Sequence, residues 1–204
     1  MKKKLKKTLK SLGLLPLLDW LLRSFSISNI ISILIGLKYY FYNYWLTYFP
    51  VYGIRLLYLR HILGVKIGKE SFVHMGCFFE DAKTIIGSNS VIGRNCYLGG
   101  GVLTIKNNVS ITAQTYIFCS THFKDSPTFK CINKNVTIED HAWIGARAMV
   151  LPGVNIGKGS ILGASSVATK DIPDYTVYAG VPAKRIGNRS KNLTYRLKYF
   201  PSLQ

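Results

Sequence analysis

Between Val136 and Ile186 the chain reads VTIEDHAWIGARAMVLPGVNIGKGSILGASSVATKDIPDYTVYAGVPAKRI, and an apolar residue recurs at every sixth position. Ile138, Ile144, Val150, Ile156 and Leu162 open successive hexads, and Ala168 closes the series. The fifth places hold Ala142, Ala148, Val154, Ser160, Ser166 and Ile172. Such a period fits neither the 3.6 of a helix nor the two of an ordinary strand. Sustained over many units, it implies a solenoid in which each unit buries its apolar face only against its neighbours.

The same beat begins beyond Gly64. Hexads open at Ile67, Val73 and Phe79, then at Ile86, Ile92 and Leu98, then at Ile105, Ile111 and Ile117, with single-residue slips near Ile85 and Thr104. Their fifth places are Ser71, Cys77, Lys83, Ser90, Cys96, Val102, Val109, Thr115 and Thr121, nearly all small or β-branched, as tight turns between short strands require. Of fifteen hexads, fourteen open on a large apolar residue, which excludes chance. Gly68, Gly87, Gly93, Gly99, Gly145, Gly157 and Gly163 directly follow the apolar residue, where a missing Cβ lets backbone approach closely. The stretch HFKDSPTFKCINKN, 122–135, is polar and cannot continue the wall, so it must project from a corner as a loop. The repeat stops at Pro173, a non-repeating closing segment follows, and Tyr195 to Phe200 make a short basic, aromatic tail with helical potential.

The regions before and after the repeat set the domain limits: a helical extension over 1–64, the solenoid over 65–173, and a closing segment and tail over 174–204. The formal net charge is +18, and residues 1–64 carry ten Lys or Arg against Asp19 alone. The run MKKKLKKTLK is read equally as a solvated tail or as an attraction to an anionic membrane surface. A secretory signal is disfavoured, because Pro16, Asp19 and Arg23 interrupt the apolar run from Leu12 to Leu22. Ile27 to Trp45 falls short of the ~20 predominantly apolar residues of a crossing helix. Ile27, Ile30, Ile31, Leu34, Leu37 and Phe41 instead recur at helical spacing. With the aromatic cluster at 38–52, that stripe either lies at a lipid interface or packs on the first coil or a neighbouring subunit. The four cysteines form no C-x-x-C pair and are expected as free thiols in a cytosolic protein.

In the motifs WIGARAMVLPGVNIG, LGASSVATKDIP and AGVPAKRI, each in phase, the sequence resembles the hexapeptide-repeat acyltransferases, which include galactoside, maltose, serine and capsule-sugar O-acetyltransferases. The resemblance covers roughly Gly64 to Ile186. It implies an all-β solenoid, a left-handed parallel β-helix of about five coils with three hexads per coil, and at ~4.8 Å per rung a column roughly 24 Å tall. It further implies a homotrimer with sites between the columns, and acetyl-CoA as the acyl donor.

The resemblance also assigns roles. Acyl transfer from a thioester to a hydroxyl needs a base, an oxyanion donor and a groove for coenzyme A. His122, in the STH context directly before the loop, matches the catalytic histidine; imidazole titrates close to neutral pH and suits that task. For coenzyme A the resemblance points to Trp143, Ala146, Ala164, Thr169, Lys170, Lys184 and Arg185, with the three cations set to neutralise nucleotide phosphates. Acceptor contacts are expected from Glu80 and Asp81 in the early coils, and from Phe123, Lys124 and Asp125 in the loop. His61, His74 and His141 read as structural or surface residues. His122 and His141 do not repeat a face, so no metal is expected. The chain is thus expected to be an acetyl-CoA-dependent O-acetyltransferase of a sugar hydroxyl in capsule, exopolysaccharide or lipopolysaccharide assembly. The acceptor could be lipid-linked, the location cytoplasmic or peripheral at the inner membrane face, and nucleic acid is not a partner. Rivals are N-acetylation of an amino sugar, acetylation of serine or an antibiotic, and a non-catalytic β-helix scaffold.

Overall fold

The computed structural model describes residues 27–80, 82–199 and 201. The chain forms two compact units, Met1–Tyr40 and Phe41–Gln204. The described part of the first is helical, the beginning of α1 (Ile27–Tyr44). Ile30, Ile31, Ile33, Leu34, Ile35 and Leu37 are all exposed there, so the expected stripe is one part of an apolar surface that runs around the helix. No helix among the described residues is long and apolar enough to cross a membrane.

The second unit is a left-handed parallel β-solenoid. Three sheets form its walls, and the chain visits them in turn. Sheet A stacks β1 (Lys66–Ile67), β4 (Ala82–Ile86), β7 (Gly101–Ile105), β12 (Val136–Ile138) and β15 (Asn155–Ile156). Sheet B stacks β2 (Phe72–Val73), β5 (Val91–Ile92), β8 (Ser110–Ile111), β13 (Trp143–Ile144), β16 (Ile161–Leu162) and β18 (Thr176–Ala179), and ends in an antiparallel β19 (Lys184–Asn188). Sheet C stacks β3 (Phe78–Phe79), β6 (Tyr97–Gly99), β9 (Tyr116–Phe118), β14 (Met149–Val150) and β17 (Val167–Ala168). Five coils are complete. A sixth turn is partial, made by β18 on β16 and by a bridge from Ile172 to Ile156, so the column runs past Pro173.

Each rung points two residues inward: the apolar residue that opens a hexad and the residue two before it. Val73 with Ser71, Phe79 with Cys77, Ile144 with Ala142 and Val150 with Ala148 are all buried. Alternation of large and small side chains fills a narrow triangular bore to the density of a close-packed interior. Glycine is needed where coils touch at a turn: a Cβ on Gly93 would lie 2.5 Å from the backbone nitrogen of Ala113 in the coil above. Cys77, Cys96 and Cys119 are buried free thiols, and Cys131 is exposed.

The slips mark one vertex. Ile67 pairs with Ile86 and Ile86 with Ile105, each nineteen positions on, whereas Ile138 pairs with Ile156, eighteen on. In the first two coils the extra residue lies in the turn from sheet C to sheet A, within 80–83 and 99–102, a few residues before the places where counting the hexads puts it. The buried inward residues there are accordingly Thr84 and Leu103 rather than Lys83 and Val102.

The open lower edge is capped by the segment that precedes the repeat, which is why the compact unit starts at Phe41 while the repeat starts after residue 64. The lowest coil has carbonyls with no rung beneath them, and an unpaired edge of this kind invites association. Side chains on 43–60 donate to five of them: Asn43 Nδ2 to Phe79 O (2.8 Å), Thr47 Oγ1 to Cys77 O (3.0 Å), Tyr52 hydroxyl to Ser71 O (2.8 Å), Arg55 Nη1 to Val73 O (3.1 Å) and Arg60 Nη2 to Ile67 O (2.8 Å). These are the same positions that in the second coil accept the amides of Glu80, Phe78, Phe72, His74 and Gly68. Arg55 sits on α2 (Tyr52–Tyr58), is fully buried, and lies over the Tyr52 ring at 5.4 Å.

Among the described residues the tail is not helical. It descends in extended form along the vertex between sheets A and B: Tyr195 hydroxyl donates to His141 O (3.3 Å), Leu197 N to Asn108 Oδ1 (3.3 Å), Asn89 Nδ2 to Leu197 O (3.1 Å), and Lys198 Nζ lies 3.6 Å from the Glu70 carboxylate. Glu70, Asn89, Asn108 and His141 occupy the same turn position on successive coils, each with φ of 55–61°. Asn and His are among the side chains that accept this left-handed conformation.

Candidate functional site

The polar insertion leaves the vertex between sheets C and A as a β-hairpin, β10 (Ser120–His122) paired with β11 (Cys131–Asn133), opposite His122 and Cys131. Its tip is cross-tied: Phe123 N donates to Lys130 O (2.9 Å), and the Ser126 hydroxyl accepts from the amides of Thr128 and Lys130. Phe129 adopts φ 50°, an uncommon conformation for a bulky residue and one that a tied turn must impose. This brings the Phe129 carbonyl to 2.7 Å from His122 Nδ1, and the Phe129 ring stacks on the imidazole at 3.8 Å with an 11° tilt. A carbonyl oxygen only accepts, so Nδ1 carries the hydrogen and Nε2 keeps its lone pair. His122 is exposed, and its outward nitrogen can accept a proton.

Glu80 belongs to the same vertex. Its carboxylate packs against the Gly99–Gly100 backbone, where a Cβ on Gly99 would lie 2.5 Å from Oε2, and Ser120 Oγ lies over Gly100. Burial, then the Glu80 carboxylate beside it, pushes the Tyr97 hydroxyl up to about 12. Phe123, Lys124 and Asp125 are exposed on the hairpin, the latter two as an ion pair of 3.7 Å. Asp81 lies outside the described residues.

Most of the residues expected to hold coenzyme A lie elsewhere on the prism. Trp143 faces outward from sheet B, 45% exposed, and donates through Nε1 to Thr112 Oγ1 at 3.2 Å. Ala146 and Ala164 stack one coil apart at the vertex between sheets B and C, tied by Ser165 N to Ala146 O at 2.8 Å. The closing segment lies across β17: Gly180 O accepts from Val167 N (3.0 Å), and Ala183 N donates to Val167 O (2.8 Å). Thr169 and Lys170 follow β17, and Lys184 and Arg185 begin β19, so all four are exposed at one end of the column. Arg185 bonds Asn188 Oδ1 at 2.6 Å.

A column of three parallel sheets with these rungs is a specific pattern, and known proteins share it. The family model described as bacterial transferase hexapeptide (six repeats) matches residues 135–170. The galactoside O-acetyltransferase of Escherichia coli K12 is 32% identical over 147 residues, 64% of this chain and 68% of that enzyme. The chain belongs to the hexapeptide-repeat transferase family. The galactoside O-acetyltransferase of Lactococcus lactis is 37% identical over 122 residues, 50% of this chain. The chain spans little more than half the length of that relative, 58%. A hexapeptide-repeat containing acetyltransferase from Vibrio cholerae superposes with a TM-score of 0.67 at 27% identity, covering 77% of this chain and 89% of that one.

In this hexapeptide-repeat transferase the expected residues form two groups. His122, Glu80 and the hairpin residues share the vertex between sheets C and A, with Thr169 and Lys170 two coils above the hairpin. Trp143, Ala146 and Ala164 occupy sheet B and its border with C, and in a triangular prism sheet B is the wall opposite that vertex. A single chain does not bring the groups together. The sequence reading missed Phe129, which aims the histidine, and Tyr97 and Ser120, which flank Glu80; only the position of Phe129 inside the polar insertion hinted at a role. His74 is buried and its pKa lies below the ordinary value through burial, then Arg94 and Arg55. His141 accepts from Arg189 and Tyr195 through its carbonyl. Among the described residues no three His, Cys, Asp or Glu side chains are grouped to hold a metal ion.

Proposed function

We propose that this protein transfers an acetyl group from acetyl-CoA to a sugar hydroxyl, in the assembly of a surface polysaccharide, with His122 as general base. The observation that carries this reading is the bond from His122 Nδ1 to the Phe129 carbonyl, which leaves Nε2 as an exposed proton acceptor on a tied hairpin. The acceptor oxygen attacks the thioester carbonyl carbon while its proton passes to Nε2. The C–S bond then breaks, and the leaving thiolate takes that proton from the imidazolium, so the base is regenerated without a covalent enzyme intermediate. Hydroxyl transfer to a sugar is supported by the two galactoside O-acetyltransferases among its relatives.

Coenzyme A would lie along the Ala146–Ala164 border with its thioester toward Trp143, and its phosphates would meet Lys170, Lys184 and Arg185. Because the hairpin leaves from the vertex opposite sheet B, His122 serves a donor held on a second copy. A closed ring of three chains satisfies every such pair. Ten cations against Asp19 in residues 1–64, with the exposed apolar surface of α1, support a peripheral position at an anionic membrane, where lipid-linked glycans are built.

The test is release of coenzyme A thiol from acetyl-CoA over a panel of mono- and oligosaccharides, for wild type and His122→Ala. Sugar-dependent release that falls about 10²- to 10⁴-fold in the variant, with acetyl-CoA still bound, is the expected result. Retention of full rate in His122→Ala, or failure of the wild type to bind acetyl-CoA, refutes the reading.

A further inference from the structure

Sheet B carries a pocket that the expected site residues do not include. It holds about 320 Å³, at the lower end of the range for small-molecule sites, and is walled by His74, Arg94, Ser110, Thr112 and Tyr199. Its floor is the outer face of β5 and β8, where Ser110 sits one rung below Trp143. Its lower wall is the tail: the Tyr199 ring lies 5.2 Å from His74 and 6.2 Å from Phe72. Its upper wall is tied to Trp143 by the bond to Thr112 Oγ1.

Three polar groups of this pocket can donate to a ligand. Trp143 Nε1–H can only donate, so Thr112 Oγ1 is the acceptor of that bond and its own hydrogen is left for a ligand. The Ser110 hydroxyl supplies a second donor and the exposed Arg94 guanidinium a planar fork of donors. His74 is 7% exposed and its Nδ1 has no hydrogen-bonding partner. No Asp or Glu is among the described residues that line it. Donors without a facing carboxylate suit an oxyanion, which Arg reads bidentately.

We propose that this pocket is the acceptor subsite and that it selects a sugar bearing a carboxylate or a phosphate, read by Arg94 and closed on one side by Tyr199 of the tail. The proposal rests on the transferase reading above. Ala113 lines the pocket and follows Ile111 as Ala146 follows Ile144 in the rung above, so the pocket opens at the foot of the Ala146–Ala164 border and an acceptor seated here has its hydroxyl next to the thioester end of a donor on the same chain. The His122 that deprotonates it comes from the neighbouring copy.

Calorimetric titration of the full chain, saturated with coenzyme A, tests this with glucose, glucuronic acid and glucose 1-phosphate as probes. Both charged sugars are expected to bind at least about tenfold more tightly than glucose, the scale of one hydrogen bond to a charged group. In Arg94→Gln that preference disappears, and in Arg94→Lys part of it returns. Glucuronic acid alone or glucose 1-phosphate alone binding tightly identifies the anion and supports the proposal. Equal binding of all three probes, no binding of either charged sugar, or an unchanged preference in Arg94→Gln overturns it. Coenzyme A saturates the protein in each of those outcomes, so they leave the transferase reading standing; loss of coenzyme A binding itself sinks that reading instead.

Discussion

The vertex between sheets C and A and the vertex between sheets A and B are turns of the same repeat, yet they differ in almost every coil. At the A–B vertex each turn puts one residue in the left-handed region at the same place, Glu70, Asn89, Asn108 and His141, and the tail binds down this ladder. At the C–A vertex the turns vary: one extra residue at 80–83, another at 99–102, then a complete hairpin. Pairing nonetheless resumes in register beyond it, Leu103 with Val136 and Ile105 with Ile138. The lesson is that a solenoid accepts inserted chain where no stacked ladder depends on the turn, and the proposed base is carried at that place.

The sharpest way to break this comparison is to remove the insertion. Excising residues 122–131 and joining Thr121 to Ile132 through a two-residue Asn-Gly turn should abolish sugar-dependent thiol release, by at least about 10²-fold. The column should survive with its thermal midpoint shifted by only a few degrees, because closure entropy changes slowly with loop length. Calorimetry and the thiol assay on the same preparation separate the two effects. Loss of cooperative unfolding would mean that the C–A vertex supports the fold after all.

How much of this was legible in the sequence follows the same division. The bore was legible because each rung contributes two inward residues at fixed spacing, and Ile144 with Ala142 or Val150 with Ala148 repeat without exception. The C–A turns were legible only as slips. Counting forward from Phe79 assigns the inward place to Lys83, whereas the extra residue lies within the turn and the buried side chain is Thr84. The hairpin was visible as a polar interruption, but the carbonyl that aims His122 belongs to the backbone of Phe129, and no side-chain pattern reports where a carbonyl points. The tail has no period, and its contacts run to turns 54 (Tyr195 to His141) to 128 (Lys198 to Glu70) positions away along the chain, so its extended course could not be read from local propensity.

The A–B ladder predicts a smaller effect. Asn108 has φ 56°, and its Oδ1 accepts from Leu197 N. Asn108→Ala loses both the tolerance for this conformation and the bond, for a cost of roughly 1–2 kcal/mol. Asn108→Gly keeps the conformation and loses only the bond, so its cost should be about half as large. Denaturant unfolding of the two variants measures the difference. Equal costs would place the whole contribution in the tail contact and none in the turn.

The smallest expected effect concerns the foot of the same ladder, where Tyr199 rests on His74. Burial first, then Arg94 and Arg55, lowers the His74 pKa below the ordinary 6.5, so the fold holds its imidazole neutral while the unfolded chain takes up a proton near that value. A base with a depressed pKa contributes stability that is present above the unfolded value and is lost as pH falls from 6.5 to the lower folded value. Thermal midpoints of wild type and His74→Gln, measured from pH 7.5 to 5, should therefore converge toward the acid end, since only the wild type loses this contribution. Other groups titrate in that window, but they do so in both proteins and cancel in the difference. A difference that stays constant below pH 6.5 would show that His74 binds protons equally well folded and unfolded, and that the tail does not seal it from water.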